Sequence, residues 1–167
     1  MPSEVSIEFK PETMSKVTEI IARYPDGFQK SALLPVLHLA QKEFGGYLST
    51  EVMDYVAKIL NIQPIEVYEV ATFYTMFRLK PTGKYVLEIC QTGPCCLMGA
   101  EAMMSYLEEK LGIKLGETTP DGMFTLLGVE CLASCGTAPM MQVGETYCEN
   151  LSLERLDEII RRLKKAS

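Results

Sequence analysis

The chain has no run of 18 consecutive apolar residues, no excess of positive charge, a single histidine, and no cysteine before residue 90. Each absence removes a class of protein. The most apolar stretch, Ser31 to Gln41, is short and broken by Pro35 and His38, so no bilayer-spanning helix is expected. With 16 Lys plus Arg against 22 Asp plus Glu the net charge is -6, which argues against a phosphate-neutralising surface and a nucleic-acid partner. His38 lies among Leu34, Val36, Leu37 and Leu39 and reads as a packed or surface structural residue. Neither a Ser-His-Asp nor a Cys-His engine is therefore expected. Neither G-x-G-x-x-G nor G-x-x-x-x-G-K-[ST] occurs, so no familiar device cradles a dinucleotide or nucleotide phosphate. The first ten residues carry acids and no apolar signal core, which predicts a chain that stays in a reducing cytoplasm.

What is present describes an ordinary globular chain: 167 residues, 47% hydrophobic and 23% charged. At this length folding hides roughly 70% of the unfolded surface, enough for one full core or two small ones without staples. The six cysteines, at 90, 95, 96, 131, 135 and 148, all fall in the second half. In a reducing compartment they read as ligands, redox thiols or small core residues before they read as disulfides.

That asymmetry divides the chain. Residues 1–80 are expected to form a helical bundle and residues 81–167 an open-sheet domain, joined at Lys80-Pro81-Thr82-Gly83. In the first part Met14, Val17, Ile20, Ile21 and Tyr24 recur at helical spacing after Pro11. A second pattern runs from Ser31 to Phe44, and Val52, Val56, Ile59 and Leu60 make a third after Ser49. Pro64 and Glu66 open a fourth helix, expected to carry Val67, Val70, Phe73, Tyr74 and Phe77 mainly into the core. In the second part Tyr85 to Cys90 and Phe124 to Val129 read as strands, Leu97 to Leu111 as a helix, and 140–143 with 146–149 as a hairpin. A final helix is capped by Ser152, stapled by Leu151 and Leu156, and ends in Arg161, Arg162, Lys164 and Lys165.

The cysteines carry the chemistry. Cys90-Gln-Thr-Gly-Pro-Cys95 places one thiol at a strand end and the next at a helix start, where a thiolate is favoured, and Cys131-Leu-Ala-Ser-Cys135 repeats the arrangement after a second strand. Loops leaving the carboxyl ends of neighbouring strands converge, so C-x4-C and C-x3-C can gather four sulfurs around one centre. A tetrahedral thiolate set implies zinc or iron–sulfur, and the Gly, Thr, Ser and Pro of both loops supply donors that tune a cluster. Cys96 and Cys148 read as structural. Absence of C-x-x-C from both loops stands against a thioredoxin-type thiol–disulfide oxidoreductase.

These residues resemble a known family. Val70-Ala-Thr-Phe-Tyr-Thr-Met-Phe77, the C-x4-C loop, and Asp121-Gly-Met-Phe-Thr125 leading through Cys131-Leu-Ala-Ser-Cys135-Gly-Thr-Ala-Pro139 are similar to the thioredoxin-like [2Fe-2S] subunit, the E subunit, of the NADH dehydrogenase module of complex I. The resemblance covers nearly the whole chain. It implies an α/β (α+β) architecture in which a thioredoxin-like [2Fe-2S] ferredoxin domain follows an N-terminal helical bundle. It also implies one [2Fe-2S] cluster per chain on Cys90, Cys95, Cys131 and Cys135, and no catalytic acid, base or nucleophile of the chain's own. FMN, a [4Fe-4S] cluster and the NADH site then belong to an obligate flavoprotein partner, the F subunit. That pair joins the remaining peripheral arm, at the cytoplasmic face of a bacterial inner membrane, as part of an NADH:quinone oxidoreductase. The alternatives are the equivalent diaphorase subunit of an NAD-linked hydrogenase or formate dehydrogenase, and a zinc-stabilised interaction module. One residue departs from the family pattern: Ala133 stands where glycine is usual. A positive φ there would strain the loop.

Overall fold

The computed structural model describes residues 7–166. They fall into two compact units that divide between Pro81 and Thr82.

The first unit is all-helical. Helix α1 spans Pro11–Ile21, α2 Leu33–Glu43, α3 Thr50–Leu60 and α4 Pro64–Phe73. The termini follow from local chemistry. Pro11 and Pro64 occupy first-turn positions where their missing N–H leaves no bond unmade. Ser49 Oγ accepts from Val52 N–H at 3.3 Å, and Asn61 ends α3 at a φ of 52°. Each helix turns an apolar stripe inward, so Val17, Leu33, Leu37, Val56, Leu60 and Val67 form the core. Full burial of such side chains contributes about 1.5–3 kcal/mol each.

Two sequence expectations change here. The pattern from Ser31 opens as a tight 3-10 turn, Gln29–Ala32, and α2 starts only at Leu33. Helix α4 stops at Phe73, and Tyr74 turns extended with a ψ of 114°. The buried Gln41 amide competes for the chain beyond it: Nε2 donates to the Met76 carbonyl at 3.1 Å, and Oε1 accepts from Arg78 N–H at 2.7 Å. With those backbone groups satisfied by a side chain, helix continuation gains nothing. Phe77 returns to the core, while Phe73 is 76% exposed and Tyr74 and Met76 are also exposed. The aromatic stripe expected mainly in the core thus lies mostly outside it.

The second unit contains strands β1 (Tyr85–Cys90), β2 (Phe124–Val129), β3 (Met141–Val143) and β4 (Thr146–Cys148), with helices α5 (Gly93–Leu97), α6 (Ala100–Leu111) and α7 (Leu153–Lys165). The sheet order is β2-β1-β3-β4. Strands β1 and β2 pair in parallel with Cys90 opposite Val129, and the other pairs are antiparallel. A parallel pair needs a crossover, which α5 and α6 supply. Leu87, Ile89, Leu107, Phe124, Leu126 and Leu156 fill the core beneath. Ser152 caps α7 by accepting from Arg155 N–H at 3.2 Å. The helix expected from Leu97 to Leu111 starts three residues later, at Ala100, because Gly99 at a φ of 95° separates it from α5.

Candidate metal centre

Parallel pairing brings the ends of β1 and β2 side by side, so the loops that leave them start as neighbours. Cys90 is the last residue of β1 and is buried. Cys95 lies in α5, also buried, and packs with Cys90, Ala100, Ala138 and Met140. Cys131 and Cys135 belong to the loop after β2 and are exposed. All six cysteines are free thiols.

Polar groups already point at these sulfurs. Cys90 Sγ lies 3.2 Å from Thr92 Oγ1 and donates, as a thiol, to the Glu130 carbonyl at 3.1 Å. Burial pushes the Cys90 thiol up, but the Thr92 hydroxyl with the Thr92 and Leu132 amides outweighs it and holds the group below its ordinary value. Cys95 is pushed up by burial first, then by Cys90 and Cys135, against one opposing Met140 amide. The sequence argument for a thiolate at the helix start is therefore corrected for Cys95: a five-residue helix offers less than desolvation and two neighbouring sulfurs take away. Cys135 likewise opens a 3-10 turn, Cys135–Thr137, and not a helix.

Ala133 adopts a φ of 57° and its N–H donates to Cys131 Sγ at 3.3 Å. A Cβ in this left-handed region costs about 1–2 kcal/mol. Ala133→Gly is accordingly expected to stabilise the chain by about 0.5–1 kcal/mol, since glycine's extra unfolded freedom offsets part of the relief. Thermal unfolding followed by circular dichroism checks the sign, and a lowered Tm would contradict the strain argument.

The remaining candidates sort themselves. Cys96 Sγ donates to the Gln91 carbonyl at 3.3 Å, and Cys148 is buried in the sheet core with its thiol pushed up by desolvation. The His38 ring packs against Phe77 at 5.0 Å. Sequence reasoning missed the groups that tie down the loop carrying Cys131 and Cys135. Tyr147 hydroxyl donates to the Leu132 carbonyl at 2.9 Å, and Ser134 and Thr137 hydroxyls donate to Glu149 at 2.6 and 2.7 Å. These pairs are 12 to 15 residues apart, beyond any local pattern.

The donor set fits an iron–sulfur group: thiols only, with amide and hydroxyl donors directed at the sulfurs. Among the described residues no three His, Cys, Asp or Glu side chains gather tightly enough for one metal ion.

A βαβ unit extended by an antiparallel hairpin and closed by a C-terminal helix, with cysteine loops at its parallel strand ends, defines a thioredoxin-like ferredoxin domain. The chain belongs to the thioredoxin-like [2Fe-2S] ferredoxin family, whose model matches residues 17–164. It is 45% identical over 156 residues to the NADH-quinone oxidoreductase E subunit of Rickettsia conorii, covering 93% of each chain. It is 49% identical over 145 residues to the second NADH-quinone oxidoreductase E subunit of Rhizobium meliloti, covering 87% of this chain and 84% of that one. A mitochondrial relative, NADH dehydrogenase [ubiquinone] flavoprotein 2 of Dictyostelium discoideum, is 42% identical over 94% of this chain and 64% of its own length. Among solved structures, an NAD+-reducing [NiFe]-hydrogenase in the air-oxidised state shares the fold at a TM-score of 0.69 and 20% identity, over 80% of this chain and 23% of that one.

Proposed function

We propose that this chain is an electron-transfer subunit of an NADH:quinone oxidoreductase and that Cys90, Cys95, Cys131 and Cys135 hold its one [2Fe-2S] cluster. The observation that carries the reading is the cysteine quartet in two loops at adjacent parallel strand ends, with amides and a hydroxyl turned toward the sulfurs. Identity of 45–49% to E subunits of that oxidoreductase favours this assembly over a hydrogenase, to which the likeness is one of fold alone.

Bound there, a [2Fe-2S] cluster takes up and releases one electron at a time. The chain's own residues prepare the site. The four cysteines give up their protons on metal binding, which for Cys95 overrides the upward push of burial. The Thr92, Leu132, Met140 and Ala133 amides stabilise negative charge on sulfur, and so favour the reduced state. Ala100, Ala138, Met140 and Leu132 pack about Cys90 and Cys95 and keep water from them. No side chain has to act as acid, base or nucleophile.

The reading extends to partners. FMN, a [4Fe-4S] cluster and the NADH site belong to the flavoprotein partner, with which this chain forms an obligate pair. The exposed Phe73, Tyr74, Met76 and Leu79 supply apolar surface suited to a protein contact. Residues 1–80 and 81–167 act as helical and cluster-bearing domains. Among the described residues no helix is long and apolar enough to cross a membrane, and attachment at the cytoplasmic face of a bacterial membrane comes through the complex. Protein purified anaerobically is expected to be red-brown, with about two irons and two sulfides per chain. Stoichiometric zinc without sulfide would overturn the reading.

A further inference from the structure

Glu149 follows β4, is exposed, and reaches across to the loop that carries Cys131 and Cys135. Its Oε1 accepts from Ser134 Oγ at 2.6 Å and from Thr137 Oγ1 at 2.7 Å. These two hydroxyls bracket Cys135, one residue before it and two after. Their oxygens stand 2.7 Å apart, within hydrogen-bond reach, so one hydroxyl can also donate to the other and the carboxylate closes a three-group network that engages both protons. Next to this contact Asn150 N–H donates to the Thr137 carbonyl at 2.8 Å, and Tyr147 holds the Leu132 carbonyl. The ligand loop is thus fastened to β4 and its exit at both ends.

A hydroxyl carries one proton, and one given to a carboxylate is not available to sulfur. Bonds to an ionised acceptor are also about twice as strong as neutral ones. The Ser134 and Thr137 hydroxyls hold the Glu149 carboxyl below the ordinary carboxylate range, so it is charged at neutral pH. We propose that Glu149 is a positioning residue for the cluster: its carboxylate accepts hydrogen bonds from the Ser134 and Thr137 hydroxyls, withholding both from the Cys135 sulfur and fixing a negative charge on the loop that carries Cys135. The inference rests on the [2Fe-2S] reading. Both consequences act in one direction. A nearby negative charge disfavours the added electron, and a hydroxyl kept from sulfur fails to stabilise it. Glu149 therefore lowers the reduction potential while pinning the loop.

The test is Glu149→Gln in the full chain holding its cluster, with the potential titrated and the reduced spectrum recorded by electron paramagnetic resonance. Glutamine keeps the length but removes the charge and replaces one acceptor oxygen with a donor. The remaining amide oxygen is an uncharged and weaker acceptor for the two hydroxyls that Oε1 now holds, so they turn toward sulfur more readily. The expected result is a more positive potential by about threefold in the ratio of reduced to oxidised cluster, about 28 mV at 59 mV per tenfold for one electron, with altered g values. An unchanged potential and spectrum would overturn the proposal. If Glu149→Gln does not retain the cluster, Ser134→Ala and Thr137→Val decide, since each keeps the carboxylate and removes one fastening. Loss of the cluster to a chelator several-fold faster than in the parent supports the pinning role, and parental rates in both variants refute it. A parent chain that binds no cluster at all defeats the proposed function instead, so the two failures are distinct.

Discussion

Serine in place of Cys90, Cys95, Cys131 or Cys135, one at a time, is expected to abolish or alter the visible spectrum of the purified chain, while Cys96→Ser and Cys148→Ser retain it. Serine oxygen is a harder ligand and ionises far less readily than a thiol, so it replaces an iron-bound thiolate poorly. Loss of a direct ligand should exceed the roughly 10–100-fold drop in metal affinity that outer groups cause. The two spared cysteines have other duties. Cys96 already donates to the Gln91 carbonyl, and Cys148 packs in the sheet core, pushed toward the neutral thiol by burial. Far-UV circular dichroism separates ligand loss from unfolding, which matters most for buried Cys90 and Cys95. Loss of the spectrum in Cys96→Ser with its survival in Cys95→Ser would place the ligand register one residue off.

The elements that sequence locates well are those whose signal is local and whose ends carry a device. Tyr85 to Cys90 and Phe124 to Val129 form strands over the expected residues, and Ser152 caps α7 as its position before the amphipathic run implies. Two of the misreadings have a tertiary cause. Gln41 captures the chain around Met76 and Arg78 from 35 and 37 residues away, so the helical period continuing through Phe77 is overruled by a contact no window contains. Gly99 is a local signal, but a lone glycine inside a helical pattern is often tolerated, and only the structure shows that it breaks this one. Cys95 fails in the electrostatic argument for the same reason as α4 fails in the periodic one. A helix start favours a thiolate, but burial and the approach of Cys90 and Cys135 are tertiary effects and prevail. Ala133 was legible as a conditional: the residue type posed the question of strain, and a φ of 57° answers it. The fastening of Ser134 and Thr137 to Glu149 left no trace, because hydroxyls and a carboxylate on a polar loop look like solvated surface until the fold brings them together.

The flavin-free chain, with its cluster in place, is expected not to be reduced by NADH on a stopped-flow timescale, and to become reducible once the flavoprotein partner is added. NADH gives up its two electrons together as a hydride, which requires an acceptor able to take the pair. Four cysteines and two irons offer a place for one. The sequence also lacks both common phosphate-cradling motifs, so nothing familiar would hold the dinucleotide near the sulfurs. Without an ordered Michaelis complex, the positioning that turns a bimolecular step into an effectively unimolecular one is missing, an effect that can account for about 7–11 kcal/mol of a barrier. A difference of that size separates a reaction complete within the enzyme's turnover from one not seen over hours. The experiment mixes NADH with this chain alone and then with the partner present, following bleaching of the cluster absorption. Rapid bleaching by NADH in protein shown to contain no flavin would mean that the chain carries its own hydride acceptor, and would remove the reason for assigning the NADH site to another subunit. Dependence on the partner is the expected outcome. Dithionite, which needs no hydride acceptor, serves as the control: it should reduce the isolated chain directly, showing that the cluster is competent and that what NADH lacks there is the two-electron entry step.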